Sequence, residues 1–212
     1  MAASILDLSP DNIVIRPLSV ADHAASIAVE NAAFTNPNHR ASPDKLSYRL
    51  TACPELSLGL FAKATAADGE LEMESDASGN ILVAHIIATR CHGRLASDAS
   101  MNYPKDWRTT LATTVATENG TPIGHDPTGT TVALHSLAVA PVAQRKGAGS
   151  RLVQAFVDKM GRDTPADHVA IICQDYLVNY YKKLGFALVG PSAAQFGGGG
   201  WYDMIYDLPK ST

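Results

Sequence analysis

Cysteine is scarce in this 212-residue chain: Cys53, Cys91 and Cys173 are odd in number and lie far apart. They form neither a disulfide framework nor a paired zinc motif, and reduced thiols in a cytoplasmic protein are the simplest reading. The seven histidines (His23, His39, His85, His92, His125, His135 and His168) show no His-x-x-x-His spacing. No metal is expected. Basic residues are outnumbered, with 17 Lys and Arg against 21 Asp and Glu and a formal charge of -4. A nucleic-acid protein would carry a basic stripe and a membrane-anchored one a polybasic cluster, so neither partner is expected. No apolar run approaches the ~20 residues that span a bilayer. The first ten residues lack a basic stretch followed by an apolar one, so no secretory signal is read. Charged residues reach only 18% and apolar ones 46%, which excludes a disordered chain and leaves a globular one able to bury a core. No repeat and no linker divides it, and one domain over 1–212 is expected.

What remains alternates between two periods. Residues 13–17, Ile-Val-Ile-Arg-Pro, read as a short strand. Ser19-Val20-Ala21-Asp22 reads as a capping box that opens a helix carrying Ile27, Val29 and Ala33 to near Phe34. A polar loop, 35–43, leads to a second short helix, 44–52, and a strand, 56–62. Residues 64–79 are low in complexity and acidic, with Asp68, Glu70, Glu72, Glu74 and Asp76. They read as an extended hairpin tip, and a charge run of that kind is usually a solvated loop. Residues 81–90 predict an inner strand. The signals over 97–118 are mixed helical and broken by Pro104, and 121–129 is rich in turns. A strand over 130–139, a helix over 147–160, a strand over 169–173 and a short helix over 177–184 follow. Strands over 186–189 and 201–208, joined by a loop holding Gly197 to Gly200, close the chain. The order predicts an α/β protein with a central sheet.

The stretch from Leu134 to Ser150 carries the chemistry. A strand runs into a short loop, Gln144-Arg145-Lys146-Gly147-Ala148-Gly149, and the loop runs straight into a helix. Small residues let backbone approach a ligand closely. The first-turn N–H groups of a helix have no partners inside it, and its dipole favours an anion there. Arg145 and Lys146 add positive charge. The loop suits a phosphate or pyrophosphate, yet it is neither a dinucleotide fingerprint nor a P-loop. An ordinary strand–turn–helix with glycines for packing would show the same spacing.

Ser136-Leu137-Ala138-Val139 precedes that loop, and Tyr181-Lys182-Lys183-Leu184-Gly185-Phe186 follows about thirty residues on. Together they resemble the GNAT acetyltransferase superfamily, with its Q-x-x-G-x-G acetyl-CoA loop and its Y-x-K-x-G-F segment. Cys53-Pro54-Glu55-Leu56-Ser57-Leu58-Gly59, Leu82-Val83-Ala84, Leu137-Ala138-Val139, Tyr181 and Gly190-Pro191 are similar to the arylalkylamine (serotonin) N-acetyltransferase branch, over roughly 13–208. The chain departs from that pattern in the acidic insertion, 64–79, and in a longer segment between Arg90 and Thr130.

The resemblance implies a GNAT fold: a mixed, twisted central sheet of about seven strands with a β-bulge and splayed middle strands, flanked by helices. It implies acetyl-CoA as cosubstrate. Pantetheine would pair like an added strand with the backbone of Leu137, Ala138 and Val139, and the pyrophosphate would sit on Gln144, Arg145, Lys146, Gly147, Ala148, Gly149 and Ser150. It implies direct transfer of the acetyl group, in a ternary complex, to the primary amine of an arylalkylamine of the serotonin, tryptamine or phenylethylamine type. Such a reaction needs an ammonium of pKa ~10 to lose its proton. It also needs stabilisation of the thioester oxygen and a proton for the departing thiolate. His135 matches the second histidine of the family's His-x-His and is the candidate base, while Ala133 stands where the first belongs. His85 is the alternative stand-in or a pocket-lining residue. Tyr181, rather than Tyr180, is the candidate acid and also touches the coenzyme. A backbone N–H near Leu137 is the candidate oxyanion donor. Phe34, Pro43, His85, Ile172 and Phe196 are the candidate acceptor-pocket residues. The Gly197 to Gly200 run either lets a lid move or is a plain hairpin loop. Cys173 has no base partner in the pattern, so an acetyl-cysteine intermediate is not expected. Three rivals stay open. A polyamine or diamine N-acetyltransferase would recruit the acids of 68–76. A non-catalytic acyl-CoA sensor would fit the histidine missing at 133. A protein-lysine acetyltransferase would need an open groove. A monomer or weak dimer is expected, without a tail-borne phosphorylation switch.

Overall fold

In a computed structural model, which describes residues 6–63, 75–109 and 115–209, the alternating and apolar runs become strands. In chain order they are β1 (Ile13–Pro17), β2 (Ser57–Lys63), β3 (Asn80–Cys91), β4 (Ala116–Glu118), β5 (Thr121–Ile123), β6 (Thr131–Val139), β7 (His168–Cys173), β8 (Ala187–Pro191) and β9 (Tyr202–Asp207). The helices are α1 (His23–Ala33), α2 (Pro43–Ala52), α3 (Asp98–Met101), α4 (Ala148–Asp163) and α5 (Val178–Lys183). Among the described residues, seven strands form one sheet in the order β1-β2-β3-β6-β7-β9-β8. Only the β6–β7 pairing is parallel, and α4 is its crossover.

Each face of the sheet is covered because each helix carries an apolar stripe. Leu152, Val153, Phe156, Val157 and Met160 of α4 pack on Leu58, Leu60, Ile86, Val132 and Leu134. Val29 of α1 and Leu46 and Leu50 of α2 pack on Phe61, Leu82, Ile87 and Ala138 from the other side. The capping box forms as expected: Ser19 Oγ accepts from the Ala21 N–H, and Asp22 Oδ2 accepts from the Ser19 N–H. It opens a short 3-10 turn that runs into α1.

Two segments differ from the sequence reading. Among its described residues, the span read as mixed helix holds a single helical turn, α3, and ends in β4, which pairs with β5 from the turn-rich stretch as a two-stranded hairpin. Asn119 (φ 50) and Gly120 (φ 77) both take left-handed backbone at its tip, the conformation that Asn-Gly adopts in a tight hairpin. Of the acidic span 64–79, residues 64–74 lie outside the described residues. Asp76 anchors its end by accepting from the Ser78 and Asn80 N–H groups.

One buried carboxylate ties the elements around the later site. Glu30, on α1, is 1% exposed. Its Oε1 accepts from the Ala41 N–H (2.7 Å), which fixes the 34–43 loop, and its Oε2 accepts from Ser136 Oγ (2.6 Å) on β6. His85 Nε2 on β3 lies 3.0 Å from the same oxygen. Burial opposes ionisation, but these bonds outweigh it and hold the Glu30 carboxyl below its ordinary range. Removing a buried charge bonded to three groups strands the Ala41 N–H and leaves Ser136 Oγ and His85 Nε2 (3.2 Å apart) only each other. Glu30→Ala is therefore expected to cost about 3–4 kcal/mol and Ser136→Ala about 1 kcal/mol. Urea denaturation should show the double variant losing less than the sum, because the two share one bond.

Candidate active site

The ladder between β3 and β6 has one residue too many. Ile87 faces Ser136 and Ala88 faces Leu134, so His135 is the bulged residue. A bulge bends its strand and increases the local twist. On the other side of β6, pairing with β7 stops at Leu134–Ile171, although β6 runs on to Val139. A wedge-shaped gap opens there. The Ala140 N–H donates to the Val83 carbonyl (2.8 Å). By the alternation of an antiparallel ladder, Ser136 and Ala138 also bond toward β3, and Leu137 and Val139 turn their backbone groups into the gap. The Val139 carbonyl is taken by Gln144 Nε2 (2.9 Å).

The loop after β6 leads to the N-terminus of the 16-residue α4, whose N-cap Gly147 offers no side-chain cap. The first-turn N–H groups are thus left for a ligand. The two glycines are required for different reasons. Gly147 holds φ 84, which a side chain would strain. At Gly149 a Cβ would sit 3.0 Å from the Tyr180 hydroxyl.

Two cavities meet at this gap. The larger, about 510 Å³, is lined by Val139, Gln144, Arg145, Gly147, Gly149, Ser150 and Tyr180. The smaller, about 100 Å³, is lined by His39, Met101, His135, Ile172, Phe196 and Trp201. Phe34, Leu137, Tyr176, Leu177 and Tyr181 line both. No carboxylate lines either cavity among the described residues.

Burial dominates the titration of the groups at this junction. Burial pushes the Tyr181 phenol far up, with Tyr180 and Cys173 adding to the shift, so its proton stays on. Tyr180 lines only the larger cavity, and its hydroxyl is bonded to Ser150. His135 Nε2 lies 2.7 Å from Thr89 Oγ1, and its Nδ1 is buried without a partner. Burial, then Arg49 and Lys45, hold His135 well below its ordinary value, so the ring is neutral at pH 7. Burial pushes the Cys173 thiol up to about 11, and its sulfur packs 3.5 Å from Met204 Sδ.

The structure brings together His135, Tyr181, Phe34, Ile172 and Phe196, and separately Leu137, Val139, Gln144, Arg145, Gly147, Gly149 and Ser150. It does not bring His85 or Pro43 to either cavity. His85 is fully buried under α1, against Glu30 and Ser136. Pro43 is the exposed first residue of α2, and its carbonyl lies 2.9 Å from His23 Nε2. Ala138 is buried against α1 and α2, Ala148 is buried in the α4 core, and Lys146 is exposed beside the loop. The sequence reading missed Thr89, Met101, His39, Tyr176 and Trp201. Thr89 depends on the bulged register, and Met101 lies on a single helical turn in a span whose signals were mixed, so no local signal marks them.

A family model described as acetyltransferase (GNAT) domain matches residues 92–208. The chain is similar to the serotonin N-acetyltransferase of Mesocricetus auratus, at 29% identity over 154 residues, 73% of this chain and 56% of that protein. The Homo sapiens protein of the same name is 27% identical with the same coverage. The chain spans about half the length of the curated relatives it matches. Among solved structures, the loading GNATL domain of CurA from Lyngbya majuscula has a TM-score of 0.63 at 14% identity. That match covers 92% of this chain and 98% of that one, and the likeness is one of fold.

The buried histidines make stability depend on pH. His125 is held down to about 4 by burial and Arg90, and His135 is also depressed. Below about pH 6.5 the unfolded chain takes up protons at both rings and the folded one does not. Stability is therefore full above that pH and falls on acidification, by about 1.4 kcal/mol per pH unit for each ring. Urea midpoints between pH 7 and 5 should show this slope. Burial also lowers His168, so His125→Asn, which keeps an acceptor for the Arg90 N–H, is expected to flatten the slope by about a third to a half.

Proposed function

Because the chain belongs to the GNAT acetyltransferase family, we propose that it transfers the acetyl group of acetyl-CoA to the primary amine of an arylalkylamine. Serotonin, tryptamine and phenylethylamine are the type. The observation that carries this reading is the junction of the two cavities, where a protonated tyrosine and a neutral histidine face a small aromatic-walled space.

The gap fits the coenzyme. The open Leu137 carbonyl and the Val139 N–H would hold the pantetheine amides as a strand would be held. The uncapped start of α4, with Arg145 and Ser150, would hold the pyrophosphate. When bound, acetyl-CoA supplies an activated acetyl thioester. With Thr89 accepting from Nε2–H, His135 keeps the Nδ1 lone pair for the proton of the ammonium. Its depressed pKa keeps that lone pair available at neutral pH. Tyr181 holds a proton for the departing sulfur, and the Leu137 N–H donates to the oxygen that gains charge. The Cys173 thiol stays protonated, which supports direct attack by the amine over a covalent relay.

Phe34, Ile172, Phe196 and Trp201 supply the apolar walls that an aromatic ring wants. A polyamine would want carboxylates, and none lines either cavity among the described residues. The acidic insertion joins the sheet at Lys63–Asn80, roughly 20 Å along β3 from the bulge at 3.3 Å per residue. No helix among the described residues is long and apolar enough to cross a membrane, and the accompanying reading is a cytoplasmic enzyme.

Coenzyme A thiol release is expected with tryptamine, serotonin and phenylethylamine, with kcat/KM about tenfold or more lower for spermidine and putrescine. The opposite order would move the specificity to polyamines, and silence with every amine despite acetyl-CoA binding would favour a sensor. Tyr181→Phe is expected to lower kcat about 100-fold with the acetyl-CoA KM unchanged. His135→Gln should lower kcat to a similar degree.

A further inference from the structure

We propose that the turn α3, through Asp98 and Met101, closes the acceptor cavity and sets which amines it admits. This rests on the small-amine reading above. The turn lies in the segment between β3 and β4.

The turn is fixed from one side. Ser97 and Ser100 cap it reciprocally. The fully buried Arg49 donates from Nη2 to the Met101 carbonyl (2.9 Å), and the Gly124 N–H donates to the Ala99 carbonyl (3.2 Å). The Met101 side chain, 5% exposed, forms a wall of the smaller cavity. A thioether on an unbranched chain adapts to a flat ring.

On its other side the turn reaches nearly a hundred residues along the chain. Asp98 Oδ2 accepts from the Gln195 N–H (2.8 Å) and Oδ1 from the Phe196 N–H (3.0 Å). Both oxygens of one carboxylate thus hold two consecutive amides. The loop they hold is a short 3-10 turn, Phe196–Gly198, closed by the Gly198 and Gly199 N–H groups on the Gln195 and Phe196 carbonyls, and Gly197, Gly198, Gly199 and Gly200 all take positive φ. Beyond these it is held by the Trp201 Nε1–H bond to the Phe196 carbonyl (2.7 Å), the Ser192 N–H bond to the Trp201 carbonyl (2.8 Å) and the close approach of Gly197 to His39, while Asp98 is the side chain that ties it to the segment after β3. Phe196, Trp201 and His39 all line the acceptor cavity. Lys45 Nζ lies 5.2 Å from the Phe196 ring centroid, and its charge interacts with that of Asp98. Asp98 therefore fastens the roof of the cavity to a turn that also supplies its floor.

Three variants and two readouts test this. Asp98→Ala should raise the tryptamine KM about tenfold and leave the acetyl-CoA KM within about twofold. Asp98→Asn, which keeps the shape but can accept only one of the two amides, should fall between. Met101→Ala should raise kcat/KM for tryptamine relative to phenylethylamine by about tenfold, since the larger ring gains the room. The second readout needs no acceptor. Trp107 and Trp201 are the only tryptophans in the chain. In a Trp107→Phe background, Asp98→Ala should shift Trp201 emission to the red and increase its quenching by acrylamide. If no amine is turned over by the parent protein, the functional reading fails while the Trp201 signal still decides the clamp. Unchanged Trp201 emission in Asp98→Ala would overturn the proposal. So would an equal rise in both KM values, which would mark a general loss of structure.

Discussion

Between β3 and β6 the ladder has to absorb one residue too many, and it does so at His135. The extra residue breaks the alternation of side chains, so His135 and Ser136 turn to the same face of the sheet. One is left beside the acceptor cavity, and the other reaches Glu30 under α1. The bend carries the rest of β6 away from β7 and leaves the backbone of Leu137 and Val139 without strand partners. The coenzyme groove, the base and the oxyanion donor proposed here all follow from that one insertion. Glu30 holds the arrangement in place by bonding the bulge and the 34–43 loop to a single carboxylate.

The same physical cause sets the protonation of both candidate side chains, His135 and Tyr181. Burial removes charge from each, but the chemistry of the two groups makes the results complementary. A buried imidazole gives up its proton, and a buried phenol keeps its own. A neutral imidazole and a neutral phenol therefore line one cavity, with no carboxylate on its walls among the described residues. An amine entering that space meets no countercharge on the lining, which favours its uncharged, nucleophilic form.

Legibility in the sequence followed the range of the interactions. The strand–loop–helix from Leu134 to Ser150 is local, and it could be read from glycine placement and the uncapped helix start. Tyr181 and His135 could be placed by their resemblance to a known pattern. Thr89 could not, because its partnership with His135 depends on a ladder register that the bulge resets. His85 looked like a neighbour of the site on strand order alone, yet its register puts it opposite Ala138 and its side chain under α1. Pro43 was counted with the loop, whereas it starts α2, a position that suits a residue without an N–H. Asp98 was invisible because its partners lie nearly a hundred residues away, at 195 and 196, and Met101 because its place on the cavity wall follows from the turn that Asp98 starts.

The wedge between β6 and β7 has a further consequence. Unpaired backbone groups on a strand normally invite another chain to add itself, and exposed sheet edges are a common start of aggregation. Here the open groups lie in the middle of the sheet. The wedge closes at the Leu134–Ile171 pair, so a foreign strand entering it would run into an existing ladder after a few residues. The protein can keep a strand's worth of hydrogen-bonding capacity free for a ligand without offering it to other proteins.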